Sequence, residues 1–208
     1  DSAMNLVMAS FPDFEVWQYK EAIKAYQAMV NSFGVTLTYD PLLPAGGNAV
    51  EAYKQLAEDE ALTMYVRGAY GSGPVLRGDQ YEEIDTAKEK IDEYIDFISE
   101  RRDKDQVGDL FRMIGVKLFE DGAGGSFYTA EPFQDGTSSG AVWPDDQFRY
   151  ICKELDQRGF QIHVHAMGDA AVSHTLDGLE AAADESGRTD SRHIITHLMM
   201  VKPGDVER

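Results

Sequence analysis

A single cysteine, Cys152, is all that this chain of 208 residues carries, so no intrachain disulfide can form. No metal or redox motif surrounds it, and the helical stretch around it reads as the setting of an inert thiol. Long apolar runs are missing too: none approaches the roughly 18 residues of a membrane span. No basic-then-apolar leader opens the chain, and a cytoplasmic placement without membrane contact is the expectation. Basic residues are scarce, 19 against 37 acidic ones, for a net charge of -18. That balance excludes phosphate-backbone binding through clustered Lys and Arg, hence nucleic acid as a partner. The acidity itself reads as solvated helix faces. A hydrophobic fraction of 43% and a charged fraction of 27% are those of an ordinary globular protein long enough to bury a core.

Strand and helix signals alternate along the whole chain. Apolar positions Val16, Tyr19, Ile23, Tyr26 and Val30 recur at helical spacing over Phe14 to Asn31, with Gly34 as the stop. Val35 to Tyr39 is a short β-branched run closed by Asp40-Pro41. A helix from Asn48 to Glu60 follows, then a strand from Leu62 to Tyr70 ending in Gly71-Ser-Gly-Pro74. A long charged helix runs from about Tyr81 to Arg102, and Met113 to Phe119 is the third strand. After it comes a Gly-rich loop, Glu120 to Gly140. Pro144 begins the next helix, which reaches Gly159. The strand ending at His165, a helix from Ala170 to Ser186 stopped by Gly187, the strand ending at His197 and a helical start at Pro203 complete the order. Such alternation predicts an α/β fold: a partial (β/α)8 barrel of about five parallel strands with outer helices.

Chemistry concentrates where three of these strands end. In Phe160-Gln-Ile-His-Val-His-Ala-Met-Gly-Asp169 the alternation puts Gln161, His163 and His165 on one face. The same reading of Arg192-His-Ile-Ile-Thr-His197 puts His193, Ile195 and His197 together. Two consecutive parallel strands, each delivering an imidazole at its C-terminal end, point to a metal site more than to two hydrogen-bonded core histidines. Lys117 falls near the C-terminal end of an otherwise apolar strand, where a lysine is costly unless paired, deprotonated, modified or able to reach solvent. His163 and His193 lie one pleat repeat deeper, and His174 is read as a surface residue of the following helix.

Three segments now carry a family resemblance. They are Val116-Lys-Leu-Phe-Glu-Asp-Gly122 with Thr129-Ala130, Gln161 to Val172, and Arg192 to His197. In order and spacing they resemble the amidohydrolase-3 family of metal-dependent hydrolases, in the group related to N-substituted formamide deformylases. Ser32 to Thr36 and Leu62 to Arg67 are similar to the family's second and third strand regions. The resemblance implies one or two divalent metal ions, zinc above all, at the C-terminal face of a barrel. It implies His165 and His197 as metal ligands and Lys117 as a carboxylated, catalytic and metal-bridging lysine. Asp121, Gly122, Thr129 and His163 would line the place of a small amide-like substrate, whose C–N bond is hydrolysed by metal-activated water.

The departures from that pattern matter equally. The His-x-His pair that closes the family's first strand does not occur upstream of Phe14, and the later aspartate that serves as base would lie beyond Arg208. Residues 1–208 are therefore expected to form a single incomplete barrel domain, strands two to six of eight, inactive by itself. The alternative is a stand-alone metal-binding or assembly module whose open sheet edges are covered in a homo-oligomer. A third reading, acid–base catalysis by these histidines without metal, is disfavoured by the lysine and the paired strand ends.

Overall fold

The computed structural model describes residues 10–71, 83–122 and 126–208. Residues 72–74 of the expected turn, residues 81–82 of the charged helix and residues 123–125 of the glycine-rich loop lie outside them. Five strands, β1 (Leu37–Leu43), β2 (Tyr65–Gly71), β3 (Phe111–Phe119), β4 (Gln161–Ala166) and β5 (Ile194–His197), form one parallel sheet in the order β1-β2-β3-β4-β5. The helices are α1 (Val16–Ser32), α2 (Asn48–Glu58), α3 (Ile84–Arg102), α4 (Asp145–Gln157), α5 (Asp169–Ser186) and α6 (Pro203–Val206). A helix separates each described pair of consecutive strands, as a parallel ladder requires. The sheet curls enough for side chains of β1 and β4 to meet on its concave face, where the Tyr39 and His163 rings lie 5.4 Å apart. This is the expected half-barrel. No helix among the described residues is long and apolar enough to cross a membrane.

Alternation sorts each strand between two environments. Val66, Val116, Leu118, Ile162 and Val164 are fully buried on the convex face beneath the helices, together with Leu56, Ile91, Ile95, Phe148 and Ile151. The concave face carries Gly115, Lys117, Gln161, His163 and His165 instead. At the α4–α5 contact Gly178 admits Phe148, whose ring would lie 2.6 Å from a Cβ there. Cys152 is buried at the same contact, and burial pushes its thiol well up. That is the inert thiol expected.

Element ends follow local chemistry. At α1, Gln18 Oε1 accepts from the Glu15 amide at 2.8 Å, satisfying a donor that helix starts leave free. Gly187 closes α5 in the left-handed region at φ 66°. Two boundaries differ from expectation. Pro144 caps α4 in an extended conformation rather than forming its first turn. Strand β1 does not stop at Asp40-Pro41 but runs through it to Leu43, with a register shift between Asp40 and Leu43. A proline is tolerated there because it falls in that register shift, where the ladder to β2 has no partner for it.

Candidate metal centre

The ladder fixes what shares the concave face. Lys117 is paired with His163, Phe119 with His165, and His165 with Thr196. His197 pairs with Ala166, so simple alternation would turn its ring away from His165. The rings nonetheless meet edge to face, with centroids 4.4 Å apart. The backbone explains it: His197 (φ 80°) and Leu198 (φ 46°) are consecutive non-glycine residues in the left-handed region. That conformation costs on the order of 1–3 kcal/mol per residue and clusters at functional sites. The expectation that His193, Ile195 and His197 share one side is thus corrected. Thr196 takes the concave face, Ile195 packs beside Ala171 and Val172, and His197 is redirected by its φ.

Burial favours the neutral forms of His165 and Lys117. His165 Nε2 lies 3.4 Å from the Gly122 carbonyl oxygen and 3.4 Å from Asp121 Oδ1. Burial holds its pKa below the ordinary value. Lys117 is buried, with Nζ 4.4 Å above the Phe119 ring and donating to the Leu118 carbonyl at 3.2 Å. Burial brings its pKa down to about 8. A neutral imidazole and an amine of lowered basicity are the forms a divalent cation takes as ligands or that carboxylation requires. The donor chemistry fits a metal; the set is partial. Among the described residues no three His, Cys, Asp or Glu side chains converge on one point.

The mouth is organised by Asp121. Its buried carboxylate accepts from the amides of Gly168 (2.8 Å), Met167 (3.0 Å) and Tyr128 (3.2 Å). It thereby ties the end of β3 to the N-terminus of α5, where a negative charge is favoured. Asp169 Oδ1 accepts from Ala130 N at 2.9 Å, laying the loop along the same helix start. Gly168 is required by that contact: a Cβ would stand 1.9 Å from the Tyr128 carbonyl oxygen. Gly168→Ala is expected to destabilise the chain by about 3 kcal/mol, the upper part of the overpacking range, as read by urea unfolding. A cost under about 1 kcal/mol would mean that the loop does not rest on this helix. Of the four residues expected to face substrate, Gly122 presents its carbonyl to His165. Asp121 and Thr129 are buried with their polar atoms engaged, the latter donating to Glu131 O at 2.7 Å. His163 lies on the concave floor.

His174, expected at the surface, is buried. Its Nδ1 lies 2.5 Å from Glu120 Oε1 and its Nε2 2.7 Å from Asp145 Oδ1. Burial pushes Glu120 up to about 7 against the opposing pull of His174. The signal was present: Ala171, His174, Thr175, Gly178 and Ala182 repeat at helical spacing and form the buried stripe of α5.

Burial, helped by the charges of Lys117 and His197, brings His163 down to about 4. A base whose folded pKa is depressed loses stability on acidification, because the unfolded chain binds the proton first, near 6.5. Between pH 6.5 and 4 this group is expected to remove about 3 kcal/mol. Glu120, raised, works the opposite way between pH 7 and 4.5. The check is therefore a difference: unfolding free energies of the wild type and His163→Asn across that window should converge as pH falls. Parallel curves would refute it.

A curled parallel sheet thus brings two imidazoles and a lysine to its C-terminal strand ends, the arrangement of a partial (β/α) barrel. The sequence profile of the amidohydrolase family matches residues 1–208, and the chain belongs to that family. It is 32% identical over 98 residues to the protein LONG AFTER FAR-RED 3 of Arabidopsis thaliana, covering 45% of this chain and 17% of that protein. It is 32% identical over 79 residues to the putative amidohydrolase YtcJ of Bacillus subtilis (strain 168), covering 36% of this chain and 15% of the relative. Its fold is similar to crystal structures of uncharacterized metal-dependent hydrolases from Pyrococcus furiosus (TM-score 0.64, 24% identity) and Pyrococcus horikoshii OT3 (TM-score 0.66, 22% identity). In both, 93% of this chain is covered, and it spans 36% and 35% of those chains.

Proposed function

We propose that residues 1–208 form one incomplete barrel domain, strands two to six of an amidohydrolase that hydrolyses non-peptide C–N bonds of a small amide-like substrate. The formamide deformylase-like group is the proposed subtype, and the cytoplasm the proposed location. The observation carrying the reading is the His165–His197 contact, made through two consecutive strained residues. His165 and His197 would hold a divalent ion, zinc by preference, and Lys117 would join them as a carboxylated lysine. The ion would supply Lewis acidity toward the substrate carbonyl. The chain's own part is positional. Asp121 shapes the mouth, Gly122 offers a carbonyl beside His165, Thr129 steadies the loop, and His163 lies beneath. With a partial ligand set, the isolated chain is proposed to have no turnover.

Elemental analysis after incubation with zinc and bicarbonate tests this. Metal bound by the wild-type chain and lost in the His165→Ala/His197→Ala variant is the expected result. Equal metal in both would reject the ligand assignment. A second reading, a non-catalytic assembly module, is favoured by the edge strand β1, whose Leu37 and Leu42 are half exposed. It requires a homo-oligomer by light scattering at micromolar concentration.

A further inference from the structure

The protons on the concave floor can be placed one by one. Thr196 Oγ1 lies 3.2 Å from the Val164 carbonyl oxygen and 3.1 Å from His163 Nε2. A carbonyl only accepts, so the single hydroxyl proton of Thr196 goes to Val164, and the hydroxyl oxygen must accept from His163. His163 therefore carries its proton on Nε2. In the neutral ring Nδ1 is then a bare lone pair. That nitrogen is buried and meets no donor.

A matching orphan stands beside it. Tyr39 Oη is buried and has no partner either, and burial pushes its pKa up to about 12, so it keeps its proton. Tyr39 reaches across the sheet from β1 because Gly115 of β3 has no side chain: a Cβ there would lie 3.3 Å from the Tyr39 hydroxyl. Its ring is tilted 42° against the His163 ring at 5.4 Å. One group lacks an acceptor and the other a donor. A buried group left without a partner is unfavourable, and these two are complementary.

We propose that Tyr39 is a positioning residue of this site: its hydroxyl donates to His163 Nδ1, completing a relay from Tyr39 through His163 and Thr196 to the Val164 carbonyl. The relay spans β1, β4 and β5 and fixes one tautomer and one orientation of His163 between Lys117 and Thr196. Two competitors exist. Gln161 Oε1 is also buried without a partner and could take the Tyr39 proton. Lys117, paired with His163 across the ladder, could supply a donor instead, but its Nζ is turned toward Leu118 O and the Phe119 ring.

Long-range imidazole ¹⁵N–¹H spectra of the metal-free chain at pH 7 separate these, without reference to activity or metal. The expected wild-type spectrum has His163 protonated on Nε2, with Nδ1 shifted upfield of an unbonded ring nitrogen. Tyr39→Phe should move Nδ1 downfield to the unbonded position, leaving the Nε2 proton in place, and Lys117→Met should leave Nδ1 unmoved. Where Tyr39→Phe does not fold, 3-fluorotyrosine incorporation substitutes: the more acidic phenol should push Nδ1 further upfield. An unbonded Nδ1 in the wild type, or a shift lost in Lys117→Met and retained in Tyr39→Phe, overturns the proposal.

Discussion

Asp121→Ala is expected to remove about 5 kcal/mol of unfolding free energy, a large share of the roughly 5–15 kcal/mol by which a native domain is stable. Three buried amides, those of Tyr128, Met167 and Gly168, lose their shared acceptor. An unsatisfied buried donor costs about 1–3 kcal/mol, and alanine leaves no oxygen that could replace the carboxylate. The N-terminus of α5 also loses the negative charge at its positive end. Asp121→Asn keeps one acceptor and turns an amide nitrogen onto a donor, so it should lie between the two. Urea midpoints at constant m-value are the measurement. A loss under about 1 kcal/mol for the alanine variant would mean that water satisfies the three amides and that the loop is not fastened here.

The same residue shows how far the sequence could be read. Lys-x-Phe-Glu-Asp-Gly placed Asp121 at a barrel mouth, and it is there. What the string could not give was the direction of its carboxylate, set by the approach of Gly168 to Tyr128 across a separation of 40 positions. Strand and helix order was legible because periods of 2 and 3.6 are written locally. Contacts that depend on register were not. His197 was assigned the right neighbour for the wrong reason, since alternation points it outward and only its positive φ returns it. Asp40-Pro41 reads as the close of β1, whereas the strand continues to Leu43 because the proline falls in a register shift. Thr196 and Tyr39, neither a ligand type, gave no signal at all until the sheet put them against His163.

The start of β5 depends on Asp156, a residue without any motif around it, and Asp156→Ala is expected to cost about 4 kcal/mol. The carboxylate is fully buried and accepts from the Ser186 hydroxyl, the Ser191 hydroxyl at 2.6 Å and the Arg188 guanidinium at 2.9 Å. His193 Nδ1 accepts from the Ile162 amide at 3.0 Å, so its proton sits on Nε2, 3.2 Å from Asp156 Oδ1. One imidazole thus fastens the residue before β5 to the first turn of the β4 ladder. Removing one partner of such a buried charged network typically costs 3–5 kcal/mol. Burial alone would raise the Asp156 pKa, but the two serines, Arg188 and His193 hold it below the ordinary carboxylate value. Its contribution is accordingly complete at neutral pH and lost only as pH falls through that lowered value. Strand β5 is four residues long, so a loosened start reaches Thr196 and His197 directly. Hydrogen exchange of residues 194–197 should accelerate in Asp156→Ala more than exchange of β3 does, and zinc retention should fall although no proposed ligand is altered. Uniform acceleration across the sheet would mean that Asp156 serves global stability alone and does not aim His197.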